Sequence, residues 1–218
     1  MLCIIPARGG SKRLPRKNIM PFCGNPIIYY PIKAALDSEL FSCVIVSSDD
    51  DEILDYADNC GAIAIKRPPE LCTDQSSETD AYLYHLNNMA MKPEYFCAIY
   101  PCAAFIAPEE IKGAARHMIE SKADAVMGVS SYEQHPYQMI RKSHSDEFYH
   151  LEFPTLNEIN YPPAYASNGS LYWFRTEAFM KNPTYWQEKL VVYQTMNVDI
   201  NTESDFREAE VLWKKNHS

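Results

Sequence analysis

Short apolar runs and amphipathic stretches alternate along the first 130 residues. Leu2–Pro6, Cys43–Ser48, Ala62–Lys66, Phe96–Tyr100 and Ala125–Ser130 are too short for helices and read as strands. Between them, helices are predicted at about 26–37, 50–59, 77–90 and 108–121. In the last of these, Ile111, Ala114, Ala115, Met118 and Ile119 share one face. Pro108 suits its first turn, and Glu109 and Glu110 favour the positive end of its dipole. Asp50-Asp-Glu52 does the same for the helix that carries Ile53, Tyr56 and Ala57. Pro31 lacks an N–H and should kink or shorten the first helix. Strand–helix–strand alternation predicts an α/β fold, a mostly parallel sheet with helices on both faces.

The rhythm changes near Tyr132. From 132 to 168 the chain is rich in Tyr, His, Pro and polar residues, and no helical period appears. This stretch reads as an excursion of β-hairpin and loop, of the kind that serves as a lid or a dimer arm. Order returns with a strand at Ser170–Arg175, a short helix near Thr176–Lys181, a strand at Leu190–Met196 and a closing helix at about 203–215. The whole reads as one domain over 1–218, with the excursion as an inserted subregion.

Composition narrows the function. A net charge of −9 argues against nucleic acid as a partner. No apolar run reaches the roughly 18–20 residues of a membrane span, and no signal peptide is read at the N-terminus. The seven cysteines form no C-x-x-C pair, so they are expected to be reduced, mostly buried thiols of a cytoplasmic protein rather than disulfides or zinc ligands.

One loop departs from that acidic background. After the first strand comes Pro6-Ala-Arg-Gly-Gly-Ser-Lys-Arg-Leu-Pro-Arg-Lys-Asn18, in which Arg8, Lys12, Arg13, Arg16 and Lys17 fall within ten residues. Such a reversal of charge asks for an anion, and the glycines let backbone N–H groups approach it. A polyphosphate at a strand's carboxyl end is the natural ligand; a solvated basic loop is the alternative. A P-loop is excluded, because Gly9-Gly-Ser-Lys12 lacks the G-x-x-x-x-G-K-[ST] spacing.

The stretch Pro6–Asn18 resembles the signature of the acylneuraminate cytidylyltransferase family. The resemblance returns at Val46-Ser-Ser-Asp-Asp50, Lys66-Arg-Pro-Pro-Glu-Leu71, Asn168-Gly-Ser-Leu-Tyr172 and Val198-Asp-Ile-Asn-Thr-Glu-Ser-Asp205, so it covers nearly the whole chain. Phe22-Cys-Gly24 and Asp199-Ile-Asn-Thr202 look most like the branch that activates pseudaminic acid. The resemblance implies a three-layer, Rossmann-like nucleotide-diphospho-sugar transferase fold and a homodimer. It also implies a reaction. The anomeric hydroxyl of a nine-carbon 2-keto acid sugar, a nonulosonic acid, attacks the α-phosphorus of CTP, and pyrophosphate leaves. N-acetylneuraminate, legionaminate and Kdo are alternative sugars, and a non-catalytic nucleotide-binding relative is the alternative outside the enzymes.

The resemblance further implies roles. Arg8 and Lys17 hold the triphosphate, Ala7, Gly9, Gly10 and Ser11 line it, and Asn18 donates toward the α-phosphate. Arg67 lies near the nucleotide, or else caps a turn. Ser77 contacts nucleotide or serves as a helix N-cap. Asp199 and Asn201 are the candidate ligands for Mg2+, which prefers oxygen donors. Asp205 reads instead as part of a helix start. For the sugar, Tyr100, Cys102 and Phe105 replace the polar stretch usual in sialic acid enzymes, and arginines of those enzymes align with Glu158 and Ala166. A pocket of Tyr100, Phe105 and Tyr165 suits a less hydroxylated sugar, or these are ordinary core aromatics. Asn168 and Gly169 face the sugar or form a turn. His135-Pro136 is similar to a His-Pro of the family and reads equally as a loop histidine.

Overall fold

A computed structural model describes residues 1–73, 75–132, 135–142, 148–150 and 161–217. Its strands are β1 (Leu2–Pro6), β2 (Pro21–Phe22), β3 (Asn25–Pro26), β4 (Cys43–Ser48), β5 (Ile63–Lys66), β6 (Tyr95–Ile99), β7 (Ala125–Ser131), β8 (Ile140–Lys142), β9 (Phe148–His150), β10 (Tyr165–Arg175) and β11 (Leu190–Gln194). The helices are α1 (Tyr29–Asp37), α2 (Asp51–Asn59), α3 (Glu78–Asn87), α4 (Pro108–Ser121), α5 (Thr176–Lys181) and α6 (Glu203–Asn216). Pro31 shortens α1 as expected. The helix starts at Tyr29, which leaves the proline in the first turn, where its missing N–H costs nothing.

Seven strands form one sheet in the order β11-β7-β10-β6-β1-β4-β5. β1 pairs in parallel with β4 and β6, β4 with β5, and β7 with β11. β10 alone runs the other way, antiparallel to both β6 and β7. The carboxyl ends of six strands and the amino end of β10 therefore meet at one edge.

Side-chain alternation divides the core into two layers. Cys3 and Ile5 of β1, Cys97 and Ile99 of β6, and Trp173 of β10 pack under α1, α2 and α4. Leu2 and Ile4, Phe96 and Ala98, and Phe174 face the other way, against Tyr82 of α3 and Phe179 of α5. This is the three-layer α/β/α architecture. A third cluster sits beside the sheet. There Phe206, Ala209 and Trp213 of α6 cover Phe22, Phe105, Ile200 and Leu14, so a buried leucine pins the middle of the basic loop.

The cysteines carry no disulfide. Cys3, Cys97 and Cys102 are buried, but Cys23, Cys43, Cys60 and Cys72 are only partly covered, fewer buried thiols than expected. In the excursion, β8 and β9 form an antiparallel pair, as the hairpin reading expected. β10 starts at Tyr165, so the strand takes in five residues assigned to the excursion or its boundary. Glu158 lies outside the described residues. Among the described residues, no helix is long and apolar enough to cross a membrane.

Candidate active site

A cleft of about 380 Å³ opens at the edge where the carboxyl ends gather. Its walls include Arg8, Ser11, Lys12, Arg13, Lys17 and Asn18 from the loop after β1. Opposite lie Arg67, Thr73, Ser76, Ser77 and Glu78, then Tyr100 and Cys102 after β6, Gly169 from β10, and Asp199, Ile200 and Asn201 before α6. Members of the predicted nucleotide, metal and sugar sets thus converge from chain positions almost 200 residues apart.

Local chemistry explains each wall. Asp50 caps α2 by accepting from Ile53 N–H at 3.2 Å. Ser77 and Asp80 form a reciprocal capping box at the start of α3, with Ser77 N–H to Asp80 Oδ2 at 2.8 Å. Ser77 is therefore both cap and cleft wall. Asp205 accepts from the N–H groups of Asn201 and Thr202 at 2.8 and 2.7 Å, which holds its carboxyl below the usual range. It fixes the turn after Asp199, in the helix-start role expected of it.

Gly169 is required twice. Its φ of 63° is in the left-handed region, and a Cβ there would lie 3.0 Å from Asp199 Oδ1 and 3.5 Å from the Tyr100 ring. The Asp199 carboxylate thus fits against a bare backbone. Asn201 Nδ2 donates to Asp199 Oδ2 at 2.8 Å. Among the described residues, no three His, Cys, Asp or Glu side chains gather as a metal cage. One cleft carboxylate beside an amide still fits Mg2+, which takes a carboxylate or two and completes its shell with phosphate oxygens and water.

Several predicted contacts take different roles. Arg16 is turned out of the cleft, bonded to Asp50 at 2.7 Å and to Glu52 at 2.5 Å, so four of the five loop cations line the wall. Gly9 N–H is already used, donating to Asp49 Oδ1 at 2.8 Å, and neither Gly9 nor Gly10 lines the cleft. Ala7 is buried at the sheet edge, bonded to Ser47. Asn18 is buried, and its amide bridges inward, donating to the Arg8 carbonyl at 2.9 Å and accepting from the Cys102 thiol. Burial pushes that thiol up to about 12, so Cys102 acts as a protonated, packed group. Lys17 Nζ donates to the Ile200 carbonyl at 2.5 Å, tying the basic loop to the segment that carries Asp199.

Arg67 combines both of its readings. It lines the cleft, yet its guanidinium is buried and donates to the carbonyls of Ser47 at 2.8 Å and Leu71 at 3.4 Å. Phe105 belongs to the cluster under α6, edge-on to Trp213, and not to the cleft. Tyr165 is exposed at the start of β10, away from the wall. Of the aromatic pocket, Tyr100 remains, its hydroxyl bonded to Tyr185 and its ionisation suppressed by burial. His135 caps a 3-10 turn through Nδ1 and reaches the Pro162 carbonyl through Nε2.

Asn168 is the largest departure. It is buried and lies in a bulge of β10, where the register against β7 shifts between Ser167 and Tyr172. Nδ2 donates toward Thr195 Oγ1 and O at 2.9 and 3.0 Å and toward Ser130 Oγ at 3.1 Å, and Oδ1 accepts from Ser170 at 2.7 Å. The residue ties β7, β10 and the end of β11 together beneath Gly169. Glu110, read from sequence only as a favourable charge at the start of α4, has a second role. Its carboxylate accepts from Ala107 N–H at 2.9 Å and Met196 N–H at 2.6 Å, so it anchors the segment leading to Asp199. A glutamate in the third position of α4 was the available signal.

With this geometry in view, likeness to known proteins is informative. Residues 2–214 match the Cytidylyltransferase family profile. A pseudaminic acid cytidylyltransferase of Campylobacter jejuni is 30% identical over 99% of this chain and 97% of its own. A CMP-N,N'-diacetyllegionaminic acid synthase of Legionella pneumophila is 30% identical with the same coverage. An N-acylneuraminate cytidylyltransferase of Streptococcus agalactiae is 28% identical over 94% of this chain and 51% of its own. In fold, the chain is similar to a CMP:2-keto-3-deoxy-manno-octonic acid synthetase solved with CTP, at a TM-score of 0.75 and 15% identity over 99% and 98% of the two chains. By the match of its sequence along nearly its whole length, the chain belongs to the cytidylyltransferase family, a family of nucleotidyltransferases.

Proposed function

We propose that the protein transfers CMP from CTP to the anomeric hydroxyl of a nonulosonic acid, with pseudaminic acid as the leading sugar. The carrying observation is the convergence of Arg8, Lys12, Arg13 and Lys17 with Asp199 on one cleft. The activities named for the Campylobacter and Legionella relatives support the sugar class.

In this reading the sugar oxygen bonds to the α-phosphorus, the bond to the bridging oxygen breaks, and pyrophosphate leaves. The hydroxyl proton passes to water or a base. Charge neutralisation and in-line placement limit such transfers. Arg8, Lys12, Arg13 and Lys17 spread positive charge along the triphosphate, and Arg8 can meet two phosphate oxygens at once. Arg67 and Ser77 form the nucleotide wall, with Tyr100, Cys102 and Gly169 on the sugar side. Asp199, with Asn201 beside it, would hold Mg2+, which adds charge neutralisation at the phosphates when bound. A cytoplasmic setting belongs to the same reading, supported by thiols packed as apolar side chains. So does a homodimer through the excursion, supported by the exposed apolar side chains Tyr132, Met139, Ile140 and Tyr165.

The test is pyrophosphate release with CTP and magnesium against pseudaminic, legionaminic, N-acetylneuraminic and Kdo acids. Release with a nonulosonic acid, lost when ATP, GTP or UTP replaces CTP, is expected. CTP binding without release for any of the four would overturn the assignment.

A further inference from the structure

The basic loop is clipped to the β4–α2 turn at two points outside the cleft. At its start, Gly9 N–H donates to Asp49, and Gly9 lies so close to Asp50 that an added Cβ would meet the aspartate Cβ at 2.8 Å. At its end, the Arg16 guanidinium donates to both Asp50 carboxylate oxygens, at 2.7 and 3.4 Å. The carboxylate is the fixed partner, because it also caps α2 and its side chain is only 16% exposed, against 46% for Arg16. Arg16 adopts a φ of 56°, a backbone conformation that is costly for a side chain other than glycine's, and the ion pair offsets that cost.

Charge alone does not account for this arrangement. Carboxylates near a polyphosphate cleft weaken anion binding, and Arg16 contributes no wall to the cleft. We propose that Asp50 and Arg16 form a strut that sets the shape of the 8–17 loop and so aims Arg8, Lys12, Arg13 and Lys17 at the triphosphate. Asp50 is then a positioning residue for nucleotide binding. The inference rests on the reading of the cleft as a nucleoside triphosphate site.

The strut and simple electrostatics predict opposite signs. Asp50→Asn removes a negative charge beside the site, which by charge alone tightens anion binding. It also weakens the pair with Arg16, which by the strut loosens binding. Asparagine caps helices as well as aspartate does, so α2 is retained. Arg16→Gln keeps the backbone conformation's cost and removes the pair from an exposed position. Asp51→Asn is the control. It removes the same charge one residue away, where the partner is Lys66.

Calorimetry with CTP and with inorganic tripolyphosphate reads the result. Asp50→Asn and Arg16→Gln are each expected to raise Kd about twofold to fivefold for both probes, the scale of an exposed arginine–carboxylate pair. The double variant is expected to be no weaker than the worse single variant. KM for CTP should rise while kcat at saturating CTP holds within about twofold. Asp51→Asn should bind as wild type does, or more tightly. Asp50→Asn binding as tightly as Asp51→Asn, or fully additive single effects, would overturn the strut. Wild type that binds tripolyphosphate but turns over no nonulosonic acid would sink the functional reading and leave the strut comparison readable. Wild type that binds neither probe would overturn both.

Discussion

Asn168→Ala separates a tether from a sugar contact. The Asn168 amide is buried and has two N–H hydrogens to share among Thr195 Oγ1, Thr195 O and Ser130 Oγ, while its oxygen accepts from Ser170. About three hydrogen bonds can therefore be made at once. At about 1 kcal/mol net each, their loss costs about 3 kcal/mol. The truncation also leaves the Thr195 carbonyl short of a donor under the sheet edge, while Ser170 Oγ keeps Thr195 Oγ1 as a partner at 2.7 Å. For a chain of this length, that corresponds to a fall in Tm of roughly 6–12 °C. Differential scanning calorimetry with matched urea titrations is the assay, and a shifted urea midpoint at unchanged m-value is expected. Activity should fall for every sugar alike, because Gly169 and Asp199 lose their shared support. A variant that melts within about 2 °C of wild type and changes only sugar preference would refute the tether and restore Asn168 to the sugar pocket.

Three further outcomes follow from the same geometry. Arg8→Ala and Lys17→Ala should each abolish most pyrophosphate release with the fold intact by circular dichroism, and an unchanged kcat/KM in either would count against the loop as the triphosphate site. Gly9→Ala places a Cβ 2.7 Å from Asp50 Oδ2, which the backbone of neither residue can easily relieve, so it should cost about 1–3 kcal/mol in stability and raise KM for CTP; equal stability by urea titration would show that the loop has slack. His85 is buried and its pKa is lowered to about 4, first by burial and then by the Arg67 charge. The folded value lies below the unfolded one, so the unfolded chain binds the proton first. Stability is full above about pH 6.5 and is lost as pH falls toward about 4, by up to about 3 kcal/mol. That slope should flatten in His85→Gln, and an identical slope in both proteins would show that other groups set it.

Much of the fold was legible along the chain because the signals are local. Short continuous apolar runs and capping residues mark β1, β4, β6 and α4 within a residue or two. The basic loop was legible for the same reason, as a cluster of charge next to two glycines. The β2–β3 hairpin was not marked, although Cys23 and Gly24 both take positive φ at its turn.

Sequence by itself determined the α/β class, the basic loop at a strand's end and the family that the profile match bears out. Only the tertiary structure decided which side chains reach the cleft. Arg16 and Lys17 are neighbours in sequence, yet one turns to Asp50 and the other to Ile200. Asn168 and Gly169 are adjacent, yet a bulge sends the amide down to Thr195 and leaves the glycine facing Asp199. Phe105 lies three residues past Cys102 of the cleft and packs under α6, an element about 100 residues away. Nothing near such a residue along the chain encodes its direction. The partner that fixes it arrives from another strand or helix, and is present only once the sheet order β11-β7-β10-β6-β1-β4-β5 has formed.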